Sequence, residues 1–259
     1  MAKGTALVTG ASSGIGADLA RLCAADGYDV ILVARRAARL QQLAKSLTEA
    51  HRIAARVLTA DLAVPNAAQI LVDAVGETAI DVLINDAGVG LRGPFAELPW
   101  DAQAALLQIN LLAPIHLSRL VLPQMLRRRS GRILNVASTA AFFPGPFMAL
   151  YYASKAALVS FSEAVANELE GSGVTATVLC PGPTTTEFFD AAGIADSKLL
   201  RGGNVMDSAT VARAGYRAMM DGKMEVIAGG RNRLLVRGSR LLPGPLLAPV
   251  TRKLNLGGQ

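Results

Sequence analysis

Apolar and polar positions along the chain switch between two periods. Short, nearly unbroken apolar runs fall at 6–8, 30–33, 55–58, 82–84, 132–136 and 176–179, with a last one at 225–228. Runs of that length, rich in Val, Ile and Leu, predict strands buried on both faces. Between them the apolar residues recur every three or four positions, which predicts helices over 14–26, 37–50, 66–76, 99–128, 151–171 and 208–221. Strand–helix alternation of this kind predicts an α/β fold. It would be a single doubly wound Rossmann domain, a parallel seven-stranded sheet with right-handed crossovers and helices on both faces. No repeat or low-complexity linker divides it. Residues 1–230 therefore read as one domain and 231–259 as a tail, either part of that domain or covering its cleft or an interface.

Charge changes the picture only at the end of the chain. The net charge is +6, from 26 Lys and Arg against 20 Asp and Glu. Residues 1–230 balance, and the excess is Arg231, Arg233, Arg237, Arg240, Arg252 and Lys253. A basic tail without a recognised nucleic-acid module argues against nucleic-acid binding. The tail also carries Leu234, Leu235, Leu241, Leu242, Leu246 and Leu247. Peripheral attachment to anionic lipid is one reading, and covering the cleft or a partner subunit is another. Pro243, Pro245 and Pro249 argue against a continuous amphipathic helix, and so against lipid. The start of the chain passes directly into a strand-like run, and no apolar stretch approaches the roughly 20 residues of a membrane span, so a cytoplasmic location is expected. Cys23 and Cys180 read as reduced and buried, and neither they nor His51 and His116 have metal-ligand spacing. No metal is expected.

Candidate chemistry begins at the first turn. The first strand runs into Gly10-Ala11-Ser12-Ser13-Gly14-Ile15-Gly16 and a helix follows. Glycines there let a pyrophosphate approach the backbone, the helix N-terminus offers amide donors, and the serines add hydroxyls. At the end of the second strand, where an acid would hold a ribose 2′-hydroxyl, the chain has Ala34-Arg35-Arg36. Two guanidiniums suit a 2′-phosphate, so NADP(H) is favoured over NAD(H).

Tyr151 and Lys155 lie four residues apart, on one helical face. A cation beside the phenol is expected to lower its pKa. Here the chain resembles the short-chain dehydrogenase/reductase family, Tyr-x-x-x-Lys type, over about residues 4–228. The shared motifs are Gly10/Gly14/Gly16, Asp61, Asn85-Asp86-Ala87-Gly88, Asn110, Ser138, Tyr151 with Lys155, and Pro181-Gly182. The resemblance implies an oxidoreductase interconverting a carbonyl compound and its alcohol. In it Tyr151 is the general acid/base and Ser138 holds the carbonyl oxygen. Lys155 contacts the nicotinamide ribose, and Asn110 supports a water chain to Lys155. Asp61, Leu62, Asn85, Ala87, Gly88, Pro181, Gly182, Thr184 and Thr186 would complete the cofactor site. The chain departs from the family at Asp86, usually Asn, and at Pro183, which removes a backbone donor.

By the same analogy the substrate pocket takes Phe142, Phe147 and Phe188 with Tyr152 as wall or packing, and residues 184–205 form a mobile lid. Clustered aromatics suit an apolar substrate, though each Phe also reads as core. The family's long helices imply a homodimer or homotetramer. Two other functions stay open: a non-catalytic NADP(H)-sensing protein of the same fold, and NAD-dependent alcohol oxidation.

Overall fold

Leu7 and Val8 show how the sheet is built. Neighbouring strand residues point to opposite faces, and these two join different cores. The computed structural model describes residues 2–193 and 205–256. Its main sheet contains β1 (Thr5–Thr9), β2 (Asp29–Ala34), β3 (Ala55–Thr59), β4 (Val82–Asn85), β5 (Gly131–Val136), β6 (Val174–Cys180) and a last strand, Glu225–Ile227. All seven pair in parallel, in the order β3-β2-β1-β4-β5-β6-last. Leu7 stands in register with Ile31 on one side and Leu83 on the other.

On one face Val8, Leu32 and Ile84 meet Leu19, Ala20 and Cys23 of α1 (Gly14–Ala25), Leu40 of α2 (Ala37–His51) and Val211 of helix Ser208–Met220. On the other, Leu7, Ile31, Leu83 and Ile133 meet Leu71 of α3 (Ala67–Val75) and Leu117, Val121 and Met125 of a long helix. Strand order reverses between β1 and β4. The loops after these strands diverge there, and a crevice opens at their C-terminal ends.

The helix expected over 99–128 is interrupted. It runs as α4 (Trp100–Leu107), a π turn at Gln108–Leu112, and α5 (Ala113–Arg128). Pro114 has no N–H to give the carbonyl four residues back, that of Asn110, so the helix widens there. Trp100–Arg128 is long and apolar enough in composition to cross a membrane. Here its Leu106, Leu117, Val121 and Met125 are buried within the protein. The next helix, α6 (Ala149–Glu168), starts before the expected 151 and buries Tyr151, Ser154, Lys155, Leu158 and Ser162 along one stripe.

The tail forms no continuous helix, as its prolines led us to expect, but two separate ones, Gly230–Ser239 and Gly244–Asn255. Pro243 caps the second helix and Pro245 lies in its first turn, where an N–H has no acceptor; only Pro249 falls inside. The second helix is clipped to the loop before α6. Thr251 Oγ1 donates to the Pro144 carbonyl (2.6 Å) and Asn255 Nδ2 to the Pro146 carbonyl (2.9 Å). The buried Tyr152 hydroxyl donates to Asn255 Oδ1 (3.0 Å). Of the expected lid, 194–204 lie outside the described residues. The remainder includes a two-residue pairing, Thr184–Thr185 with Met206–Asp207, and a helical turn at Phe188–Ala191.

Candidate active site

A cleft of about 610 Å³ follows the crevice from the first turn to the tail. At one end Gly10 and Gly14 have φ of +71° and +56°, conformations that suit glycine. A Cβ on Gly10 would come within 2.8 Å of Asp86 Oδ2 and 2.9 Å of the Ala87 nitrogen. The loop after β4 can therefore pack this closely on the turn only because Gly10 has no side chain. This cradle fits a dinucleotide pyrophosphate: open backbone, the Ser12 and Ser13 hydroxyls, and the N-terminus of α1.

Around the cradle, Arg36 donates to Ser12 Oγ (2.8 Å) and Ser13 Oγ (2.7 Å). It also pairs with Glu187 (2.5 Å), and Arg39 takes the other oxygen of that carboxylate. Hydrogen bonds from the two guanidiniums hold Glu187 down to about 2. Arg35 lines the cleft beside them, with no ion pair among the described residues. Asp61 and Leu62 border the same end, and Asp61 Oδ1 accepts from the Ala63 N–H (3.0 Å).

Midway along the cleft, β5 ends and Ser138 caps a short 3₁₀ turn, accepting from the Ala140 N–H (3.1 Å). Opposite it, α6 presents Tyr151 and Lys155. Lys155 Nζ lies 6.0 Å from the Tyr151 ring centroid and donates to the Val136 carbonyl (2.9 Å). Burial pushes the Tyr151 phenol up to about 12, although Ser138 pulls the other way. In the protein alone, burial therefore governs this phenol, and the expected lowering by Lys155 is not seen. Lys155 is brought down to about 8 by burial, against the attraction of Asp86. Asp86 turns its carboxylate inward between Gly10 and Gly16. Burial lifts it to about 7, against the pull of Lys155 and the Gly16 N–H.

At the far end Phe143, Met148, Phe188 and Phe189 make an apolar wall, and Phe188 packs on Tyr151 with ring centroids 5.3 Å apart. Most residues singled out in the sequence share this one cleft: Gly10, Ser12 to Ile15, Arg35, Arg36, Asp61, Leu62, Ala87, Gly88, Ser138, Tyr151, Tyr152, Lys155, Pro181, Gly182, Thr184, Thr186 and Phe188.

Five others stand outside its wall. Gly16 lies behind it, where a Cβ would strike the Asp86 carboxylate and the Gly10 carbonyl. Asn85 is buried, donating to Asn135 Oδ1 (2.9 Å) and so tying β4 to β5. Asn110, in the π turn, brackets Val89: its Oδ1 accepts from the Val89 N–H (2.9 Å) and its Nδ2 donates to the Val89 carbonyl (2.8 Å). A Cβ on Gly88 would sit 3.5 Å from Asn110 Oδ1 and 3.4 Å from Lys155 Nζ, so Gly88 lies between the two. Phe142 and Phe147, expected in the pocket, serve the tail instead. Arg240 lies over the Phe142 ring (5.1 Å) and Arg252 over the Phe147 ring (5.0 Å). Phe147 also has φ +67° and lines a separate small hollow with Leu91 and Phe95. Conversely, Arg231, Asn232, Leu235, Val236, Thr251 and Leu254 of the tail line the cleft, as does Met148. Nothing local in the sequence marks the tail residues; only the folding back of the tail places them there, whereas Met148 lies in the 141–148 segment expected beside the cleft.

Comparison with known proteins agrees with this geometry. Residues 4–195 match the family model described as short chain dehydrogenase. A curated relative, a ketoacyl reductase of Nostoc sp., is 38% identical over 184 residues, covering 69% of this chain and 62% of its own. The chain thus spans about three fifths of the length of the first curated relatives it matches. Among solved structures, a short-chain dehydrogenase from Sphingobium yanoikuyae in complex with NADPH superposes with TM-score 0.82 at 31% identity, covering 92% of this chain and 94% of that one. A short chain dehydrogenase/reductase from Burkholderia phymatum in complex with NAD gives 0.81 at 26%, covering 91% and 92%. With a matching model over most of its length and this fold around the cleft, the chain belongs to the short chain dehydrogenase family of oxidoreductases.

Proposed function

We propose that this protein is an NADPH-dependent reductase of an apolar carbonyl compound, with Tyr151 as the proton donor. One observation carries the reading: Ser138, Tyr151 and Lys155 converge midway in a cleft between a phosphate cradle and an apolar wall. Gly10 to Ile15, Asp61, Leu62 and Ala87 to Gly88 would hold the dinucleotide, and Lys155 with Pro181, Gly182, Thr184 and Thr186 its nicotinamide end. When bound, the reduced nicotinamide supplies hydride. The protein supplies everything else.

Ser138 and the Tyr151 hydroxyl hold the substrate oxygen between them. A buried phenol with a pKa near 12 is fully protonated at neutral pH, the form a proton donor needs. Lys155 stabilises the phenolate left after transfer, and burial keeps water from competing. Asn110 holds the Val89 backbone, and with it the floor between Gly88 and Lys155.

The NADPH preference is supported by Arg35, Arg36 and Arg39 at the adenosine end, with no acid at the end of β2. Glu187 already occupies two of these guanidiniums, so the site is built to take an anion. Phe143, Met148, Phe188 and Phe189 favour an apolar group next to the carbonyl, and the ketoacyl reductase relative suggests acyl ketones as first substrates. The test is cofactor oxidation across ketones, aldehydes and acyl thioesters, with NADPH and NADH in parallel. Turnover with NADH as efficient as with NADPH would refute the cofactor preference. Turnover surviving in Tyr151→Phe would refute the proton donor.

A further inference from the structure

The tail helices have a second face that the cleft does not use. In Gly230–Ser239 the buried positions are Asn232, Val236 and Ser239, and in Gly244–Asn255 they are Thr251 and Asn255. At 100° per residue the opposite face carries Leu234 and Leu241 from the first helix and its end, and Leu246 and Val250 from the second. These four are 72%, 85%, 62% and 56% exposed. Single exposed leucines are ordinary, but here each of two consecutive helices turns an apolar pair outward, opposite its own buried side.

Charge on the tail helices themselves has one sign. No acid follows Glu225 in the sequence. Arg240 and Arg252 are turned to Phe142 and Phe147, while Arg231, Arg233, Arg237 and Lys253 stay at the surface. We propose that this face docks on an anionic lipid membrane. Leucines seat at the headgroup–acyl boundary, and the cations around them meet lipid phosphates. A second copy of the chain fits less well. Two such faces brought together would set cation against cation with no carboxylate of the tail to pair them. The prolines do not oppose docking. They separate and start two short amphipathic helices rather than prevent them. Arg231 and Leu235 of the first helix also line the cleft, so the docked face borders its mouth. An apolar substrate dissolved in lipid would thus reach the site without crossing water.

The test is co-sedimentation of the full chain with phosphatidylcholine vesicles, with and without phosphatidylglycerol, at low and high salt. Strong pelleting is expected with the anionic vesicles only, reduced by salt. A Leu234→Ser, Leu241→Ser, Leu246→Ser variant, shown folded by circular dichroism, is expected to lose at least about tenfold in partitioning, since each leucine buries several methylene groups. Arg237→Gln with Lys253→Gln is expected to lose up to about thirtyfold, from about fivefold for each cation near an anionic surface. Failure to pellet with anionic vesicles overturns the proposal, as does pelleting unchanged in the leucine variant. Absent pelleting together with a smaller assembly for that variant in light scattering would assign the face to contact between copies instead.

Discussion

Tyr151 and Asp86 show how far burial, rather than neighbouring charge, governs this site. A sequence reading sees a lysine four residues from a tyrosine and predicts an acidic phenol. In the fold both groups are desolvated, and Lys155 spends one hydrogen bond on the Val136 carbonyl. The phenol is therefore held protonated. Tyr151→Phe is expected to lower carbonyl reduction by at least about a hundredfold, the usual scale of a positioned proton donor. NADPH binding, followed by nucleotide fluorescence, should change little. Asp86 allows a second measurement. Its folded pKa of about 7 lies above the ordinary 3.8, so over that interval the native state binds more protons than the unfolded one. Stability from this group is thus complete below the unfolded pKa and lost as pH rises through the folded pKa. Asp86→Asn removes the titration. Compared with wild type in urea unfolding, the variant should gain relative stability steadily from about pH 4 to 7. A constant difference across that range would show that the carboxylate is not desolvated.

Between elements, two contacts join parts of the chain far apart in sequence. The first is Glu187 against Arg36 and Arg39, which ties the segment after β6 to the start of α2. Its carboxylate competes with any other anion for these guanidiniums. Glu187→Gln is expected to tighten NADPH binding several-fold and leave NADH unchanged, as read by isothermal titration. Equal changes for both cofactors would separate this cluster from the 2′-phosphate. The second is the clip of the tail onto the loop before α6. Asn255→Leu leaves the buried Tyr152 hydroxyl without its acceptor and removes the bond to Pro146. The expected loss is about 1–3 kcal/mol in unfolding, with faster proteolysis at the tail. Arg39, Glu187 and Asn255 were all missed in the sequence because they match no spacing; each works through a partner more than a hundred residues away.

At the level of the whole molecule, Trp100, Leu112 and Leu126 lie exposed along the α4–α5 rod. Together with the family likeness they lead us to expect a homodimer or homotetramer. Light scattering should show it, and Leu112→Glu should shift it towards monomer; a wild-type monomer at all concentrations would dismiss the interface.

Periodicity and turn chemistry are local properties, and what depended on them was readable directly. The seven strands of the main sheet, their parallel arrangement, the glycine cradle and the Tyr151–Lys155 face follow from residues a few positions apart. Pro114 shows the limit of that reading: its missing N–H is visible in the sequence, yet the period alone predicted one unbroken helix over 99–128 where the structure has a π turn. Protonation states needed the fold, because desolvation depends on everything packed around a group. The tail needed it most. Its prolines read as helix breakers, and its leucines and arginines as undecided between cleft, partner and lipid. Thr251, Asn255 and Tyr152 anchored it across the apolar end of the cleft and turned its other face outward. Which side chains of a short amphipathic helix become wall and which become surface is decided by the contact it makes, and here that contact joins residues 144–152 to 251–255.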